Sequence, residues 1–124
     1  MTNTFKNLFM ITLIIGLLDF MYINLILKYF QNMVLKIQKT PIKARLIPAI
    51  LCYLVLIFSV YYFIILQNAP LINAFLLGLT IYSVYELTNY ATIKDWNLKF
   101  VIADSIWGGI LFLLTTFIYR KISK

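Results

Sequence analysis

Long apolar stretches alternate with short polar ones along the 124 residues. The stretches at 7–27, 46–66, 71–91 and 100–119 are each about 20 residues long, enough to carry an α-helix across roughly 30 Å of hydrocarbon. Residues 29–45 form a polar, basic connection that includes Lys36, Lys39, Pro41 and Lys43. Gln67, Asn68, Ala69 and Pro70 make a tight turn, which predicts that spans two and three form an antiparallel hairpin. Lys94, Asp95, Trp96 and Asn97 make a second short turn, and Arg120, Lys121 and Lys124 follow the last span. The pattern predicts an all-α, polytopic membrane protein: one integral domain over 1–124, folded as an antiparallel bundle of four transmembrane helices. Lys6 before an apolar run resembles a signal peptide. However, no small-residue cleavage site follows and Asp19 interrupts the run, so the first span is expected to be retained.

Composition strengthens this picture. Hydrophobic residues are 63% of the chain and charged residues only 12%, about half the usual charged share. A water-soluble domain of this size cannot hide that much apolar surface, whereas a bilayer can. The net charge of +7 does not read as nucleic-acid binding, because the basic residues flank spans instead of forming one continuous face. An even number of spans places both termini on one side, with Lys6, Arg120, Lys121 and Lys124. The opposite side holds Lys28, Lys36, Lys39, Lys43, Arg45, Lys94 and Lys99. Seven against four favours cytoplasmic loops and outside termini under the positive-inside rule. Lys36, Lys39, Lys43 and Arg45 are also placed to meet anionic lipid headgroups.

Histidine is absent and Cys52 is the single cysteine. Ser-His-Asp and Cys-His triads, histidine-ligated zinc and histidine-ligated haem are therefore ruled out. No phosphate-binding glycine loop or metal-ligand spacing occurs, so neither a metal nor a cofactor is implied. Cys52 reads as a small packing residue. Tyr53, Tyr61, Tyr62, Tyr119, Trp96 and Trp107 read in part as an interfacial aromatic belt.

The informative residues are acidic. There are four in all, and Asp19, Glu86 and Asp104 fall inside predicted spans. An ionised carboxylate at a helix centre costs about 2.5–3.5 kcal/mol. One such residue per span keeps each helix insertable. Helical rise puts Asp19 about 13 Å from Lys28, Glu86 about 12 Å from Lys94 and Asp104 about 8 Å from Lys99. All three therefore fall in the membrane half beside the two basic loops. Spacing of three and four residues puts Gly78, Tyr82, Glu86 and Asn89 on one face of span three. It likewise groups Thr12, Gly16, Asp19 and Tyr22 in span one. In span four it groups Asp104, Gly108 and Thr115, with Trp107 beside them. The glycines would allow close helix approach. With three carboxylates close together, at least one is expected to hold a proton.

The run Tyr85-Glu86-Leu87-Thr88-Asn89-Tyr90-Ala91-Thr92-Ile93-Lys94-Asp95-Trp96, followed by Asp104-Ser105-Ile106-Trp107-Gly108, resembles the signature of a small family of four-helix membrane proteins known as domain of unknown function 2177. Leu18-Asp19-Phe20-Met21-Tyr22 is similar to its first-helix element. The likeness covers essentially the whole chain. Glu86 stands where the family more often has Asp, Tyr22 where it often has Trp, and Asp95 and Asn97 where it often has Gly and Pro. The resemblance implies the fold, the candidate residues and an occurrence in bacteria or large DNA viruses, but no reaction. The candidate polar cluster is Asp19 and Tyr22 on span one, and Asp104 and Trp107 on span four. From span three it takes Tyr82, Tyr85, Glu86, Thr88, Asn89 and Thr92.

Three functions fit this cluster. It would bind or pass protons, cations or a small polar ligand, with several copies of the chain assembling around a path. It would alternatively tie helices together in an accessory subunit of a larger membrane assembly, a viral membrane included. A membrane-embedded enzyme acting on lipid or peptide is the third, and needs two carboxylates within reach of each other. The sequence leans away from an enzyme.

Overall fold

The computed structural model describes residues 3–123, so Lys124 lies outside the described residues. Each apolar run becomes a helix: α1 Asn3–Gln38, α2 Leu46–Val60, α3 Leu71–Thr92 and α4 Leu98–Ile122, with α2 prolonged by a π-helical turn, Tyr61–Ile65. These are the four helices, among the described residues, long and apolar enough to cross a membrane. The protein is thus a multi-pass integral membrane protein. Its exposed Leu, Phe and Val side chains, such as Phe5, Leu25, Leu46 and Val84, form the surface that lipid covers.

The first helix is longer than its apolar run. It has 36 residues, about 54 Å at 1.5 Å per residue, and it absorbs 29–38 of the stretch read as a connection. The apolar positions explain this. Phe30, Met33 and Ile37 recur at helical spacing and pack against Ile93, Trp96, Phe100 and Val101. The extension stops at Lys39, whose φ is 61° and whose N–H bonds Leu35 O at 2.8 Å. This left-handed closure is a common helix end, and Pro41 prevents resumption. Pro48 lies in the first turn of α2, where its missing N–H costs nothing. Asn97 caps α4 by accepting from the Lys99 and Phe100 N–H groups at 2.8 and 3.3 Å.

The closest helix pair is α3 with α4, while α1 packs on α4 and more lightly on α2. Small residues explain the first contact. A Cβ on Gly78 would overlap the Gly108 carbonyl, one on Gly108 would overlap the Tyr82 ring, and one on Gly109 would press on Phe75. With lipid outside, such van der Waals fit is what holds transmembrane helices together. Gly16 does not serve this purpose, since a Cβ there meets nothing within 4 Å among the described residues. The turn at 67–70 is present, and Arg120 donates to Ala69 O across it. Yet α2 and α3 are splayed, with a cavity of about 330 Å³ between Cys52, Leu56, Ile81, Tyr82, Tyr85 and Asp104.

The core divides by depth. Toward the termini it is apolar: Ile11, Ile15, Val60, Leu111 and Phe112 are fully buried. Of the buried hydroxyls there, Ser59 bonds Val55 O and Thr116 bonds Phe112 O, while Thr115 Oγ1 has no partner among the described residues. The half beside the two loops holds the buried carboxylates.

Candidate intramembrane binding site

Asp19, Glu86 and Asp104 are all buried and all line one cavity of about 480 Å³. Asp19 comes from α1, Glu86 from α3 and Asp104 from α4. Tyr22, Tyr82 and Tyr85 share the walls with Ile23, Ile26, Leu27, Phe30 and Phe100. Ile42 and Ala44 of the non-helical segment after α1 lie over it. A second cavity of about 420 Å³ adjoins it through Phe30, Ile42 and Tyr85, and carries Gln38, Lys43, Asn89 and Trp96 on its lining.

Each carboxylate accepts from neutral donors. Trp107 Nε1 donates to Asp19 Oδ1 at 3.0 Å, and the Tyr53 hydroxyl donates to Asp19 Oδ2. Asp19 thereby joins α1 to both α4 and α2. The Tyr22 hydroxyl donates to Asp104 Oδ1 at 2.9 Å, a second link from α1 to α4. Its ring stacks on Trp107 with centroids 4.5 Å apart and planes 6° from parallel. Trp96 Nε1 donates to Glu86 Oε1 at 2.9 Å. Trp96 sits in the turn between α3 and α4, and the turn folds its indole back over the last stretch of α3.

One carboxylate oxygen of the cavity is buried without a donor among the described residues. Glu86 is 0% exposed, and its Oε2 has no hydrogen-bond partner among the described residues. The Asp104 carboxyl stands within hydrogen-bonding reach of Glu86, but two ionised carboxylates are both acceptors. Either a shared proton or a donor from outside would satisfy Oε2. A buried acceptor without a donor costs about 1–3 kcal/mol, more when charged. Among the described residues no three Asp, Glu, Cys or His side chains converge on one point to hold a metal ion. The three carboxylates share a cavity, but only Glu86 and Asp104 approach each other.

The candidate residues divide accordingly. Asp19, Tyr22, Tyr82, Tyr85, Glu86 and Asp104 line the cavity, and Trp107 holds Asp19 from behind. Asn89 lines the adjoining cavity. Thr88 and Thr92 are exposed on the outer face, where Thr92 Oγ1 bonds Thr88 O. Thr12 is likewise exposed and bonds Leu8 O. Two donors were hidden among the aromatic residues. Tyr53 and Trp96 fit an interfacial belt by position along the chain, and only the helix registry shows that they reach Asp19 and Glu86. Tyr119 is buried, and Tyr62 alone of that group stays exposed, stacked on Phe58.

The model of a family described as a predicted membrane protein, DUF2177, matches residues 4–119. The chain belongs to this family. The match takes in every cavity-lining carboxylate and both of the tryptophans that bond them. No curated protein and no solved structure matches the chain. In the last turn Asp95 has φ 69°. That left-handed backbone is glycine's ordinary territory, and Asp is among the few other residues that tolerate it. Asn97 supplies the α4 cap.

Proposed function

We propose that this DUF2177 protein binds a cation, a proton or a small polar ligand in its carboxylate cavity, as a step in transport. The observation that carries the reading is the free oxygen of Glu86: a fully buried carboxylate whose Oε2 lacks a donor among the described residues, beside a cavity lined also by Asp19 and Asp104. A residue kept only to tie helices would have both oxygens engaged, as Asp19 does. Intramembrane ionisable groups that face a cavity are the usual mark of an ion or substrate site. The cavity lies inside one copy of the chain, so copies assembled side by side are not needed to complete it. The apolar packing of Ile11, Ile15, Val60, Leu111 and Phe112 blocks a straight polar path to the far side, which favours a site that opens alternately over a standing pore.

The test is cation uptake and internal acidification in proteoliposomes. The Glu86→Gln, Asp104→Asn double variant is expected to lose cation- and proton-dependent uptake while remaining folded. Undiminished flux in that variant would refute the reading.

One set of contacts favours an accessory role in a larger membrane assembly. Asp19 and Asp104 link α1, α2 and α4 through Tyr53, Trp107 and Tyr22. If Asp19→Asn unfolds the protein in detergent and no cation moves through the unaltered chain, this second reading holds.

A further inference from the structure

The walls of the cavity narrow its ligand further, on the premise that the site binds a cation at all. A proton or a bare alkali ion needs no room, yet the cavity measures about 480 Å³, within the range of small-molecule sites. An inorganic ion also needs several converging oxygens, and among the described residues no three carboxylates converge; Glu86 and Asp104 alone approach each other. Apolar side chains surround them instead: Ile23, Ile26, Leu27 and Phe30 on α1, with Ile42 above. Tyr22, Tyr82 and Phe100 add aromatic faces. Carboxylate oxygens at the base with hydrocarbon and rings around them match an organic cation carrying an apolar chain.

The unfilled hydrogen bonds specify its head. Both oxygens of Asp19 and one each of Asp104 and Glu86 already have donors. Glu86 Oε2 has none. A quaternary ammonium carries charge but no N–H, and would leave Oε2 as it is. A primary ammonium brings three donors. We propose that the cavity binds an aliphatic primary ammonium, its head on Glu86 and Asp104 and its chain along Ile26, Phe30 and Ile42. Both a free alkylamine and the head of an amino-phospholipid present this chemistry. The adjoining cavity lined by Lys43 and Gln38 offers either of them a route from the headgroup region.

Trp96 and Trp107 are the two tryptophans of the chain, and both donate to carboxylates of the cavity, so fluorescence reports directly on occupancy. The protein in phosphatidylcholine nanodiscs would be titrated with hexylammonium, hexyltrimethylammonium, hexanol and sodium ion. Expected is a saturable change with hexylammonium, weaker by about tenfold or more for the trimethylated compound, and absent for hexanol and sodium. Glu86→Gln should weaken hexylammonium by about tenfold or more. Asp104→Asn serves as the second variant, and the ligand ranking on the unaltered protein requires no variant. Adding phosphatidylethanolamine to the nanodiscs separates the two sources: competition assigns the lipid head, and no competition assigns the free amine. Equal responses to all three hexyl compounds would overturn the proposal in favour of simple partitioning. A response to sodium without preference for the amine would overturn it while leaving a cation site in place. No response to any probe, together with no cation uptake, would overturn both readings.

Discussion

Two indoles in this molecule perform the same act with unequal consequences. Trp96 is the only donor to Glu86 among the described residues, whereas Trp107 shares Asp19 with Tyr53. Trp96→Phe keeps an aromatic ring beside Phe30 and Phe100 and removes the N–H. Both Glu86 oxygens are then without donors, and the expected loss is about 1–3 kcal/mol. Trp107→Phe keeps the stack on Tyr22 and leaves Asp19 one donor, so a smaller loss is expected. Unfolding in mixed micelles with increasing dodecyl sulfate measures both. Equal losses would show that Glu86 is satisfied by something other than Trp96.

At the scale of helices, the glycines sort by what faces them. Gly108→Val drives a branched side chain into the Tyr82 ring, and overpacking of this kind typically costs about 1–3 kcal/mol. Gly16→Ala meets open space and relieves the entropic cost of glycine in a helix, about 0.5–1 kcal/mol. It should be neutral or stabilising in the same micelle assay, and strong destabilisation would place an undetected neighbour at Gly16. The overhang of α1 is testable by hydrogen exchange. Residues 30–39 should be protected as helix, with Met33 buried against Trp96 and Phe100 and the Lys39 N–H bonded to Leu35 O, while 40–45 should exchange fast. Fast exchange across the whole of 29–45 would return that stretch to a loop.

The whole molecule is polarised along the membrane normal. Basic loops, carboxylates and cavities occupy one side, and packed hydrocarbon fills the other. The count of seven basic residues on the loop side against four on the termini side sets the expected orientation, with loops in the cytoplasm. In a Cys52→Ser background, Lys39→Cys and Lys121→Cys should react with an impermeant maleimide from opposite faces, Lys39→Cys from the cytoplasmic one. The reverse pattern would place the cavity mouth on the outer face, and any uptake would then run the other way. Neutralising Lys36, Lys39, Lys43 and Arg45 should weaken retention of anionic lipid by about 1 kcal/mol per residue, read by native mass spectrometry.

Hydropathy alone determined that four helices cross the membrane, because lipid admits no backbone that leaves its hydrogen bonds unmade. The depth of Asp19, Glu86 and Asp104 was equally legible, since rise per residue converts position into height. The gathering of these residues around one cavity followed from depth plus helical face. What depth and face cannot supply is the registry between helices. The rotation of α2 that points Tyr53 at Asp19, the fold-back of the turn that brings Trp96 onto Glu86, and the length of α1 beyond its apolar run all depend on which side chains interlock. Thr92 illustrates the other limit: a polar residue of a transmembrane helix can face outward once its hydroxyl bonds its own helix. The unmatched oxygen of Glu86, on which the functional reading rests, is visible only when every neighbouring donor has been placed.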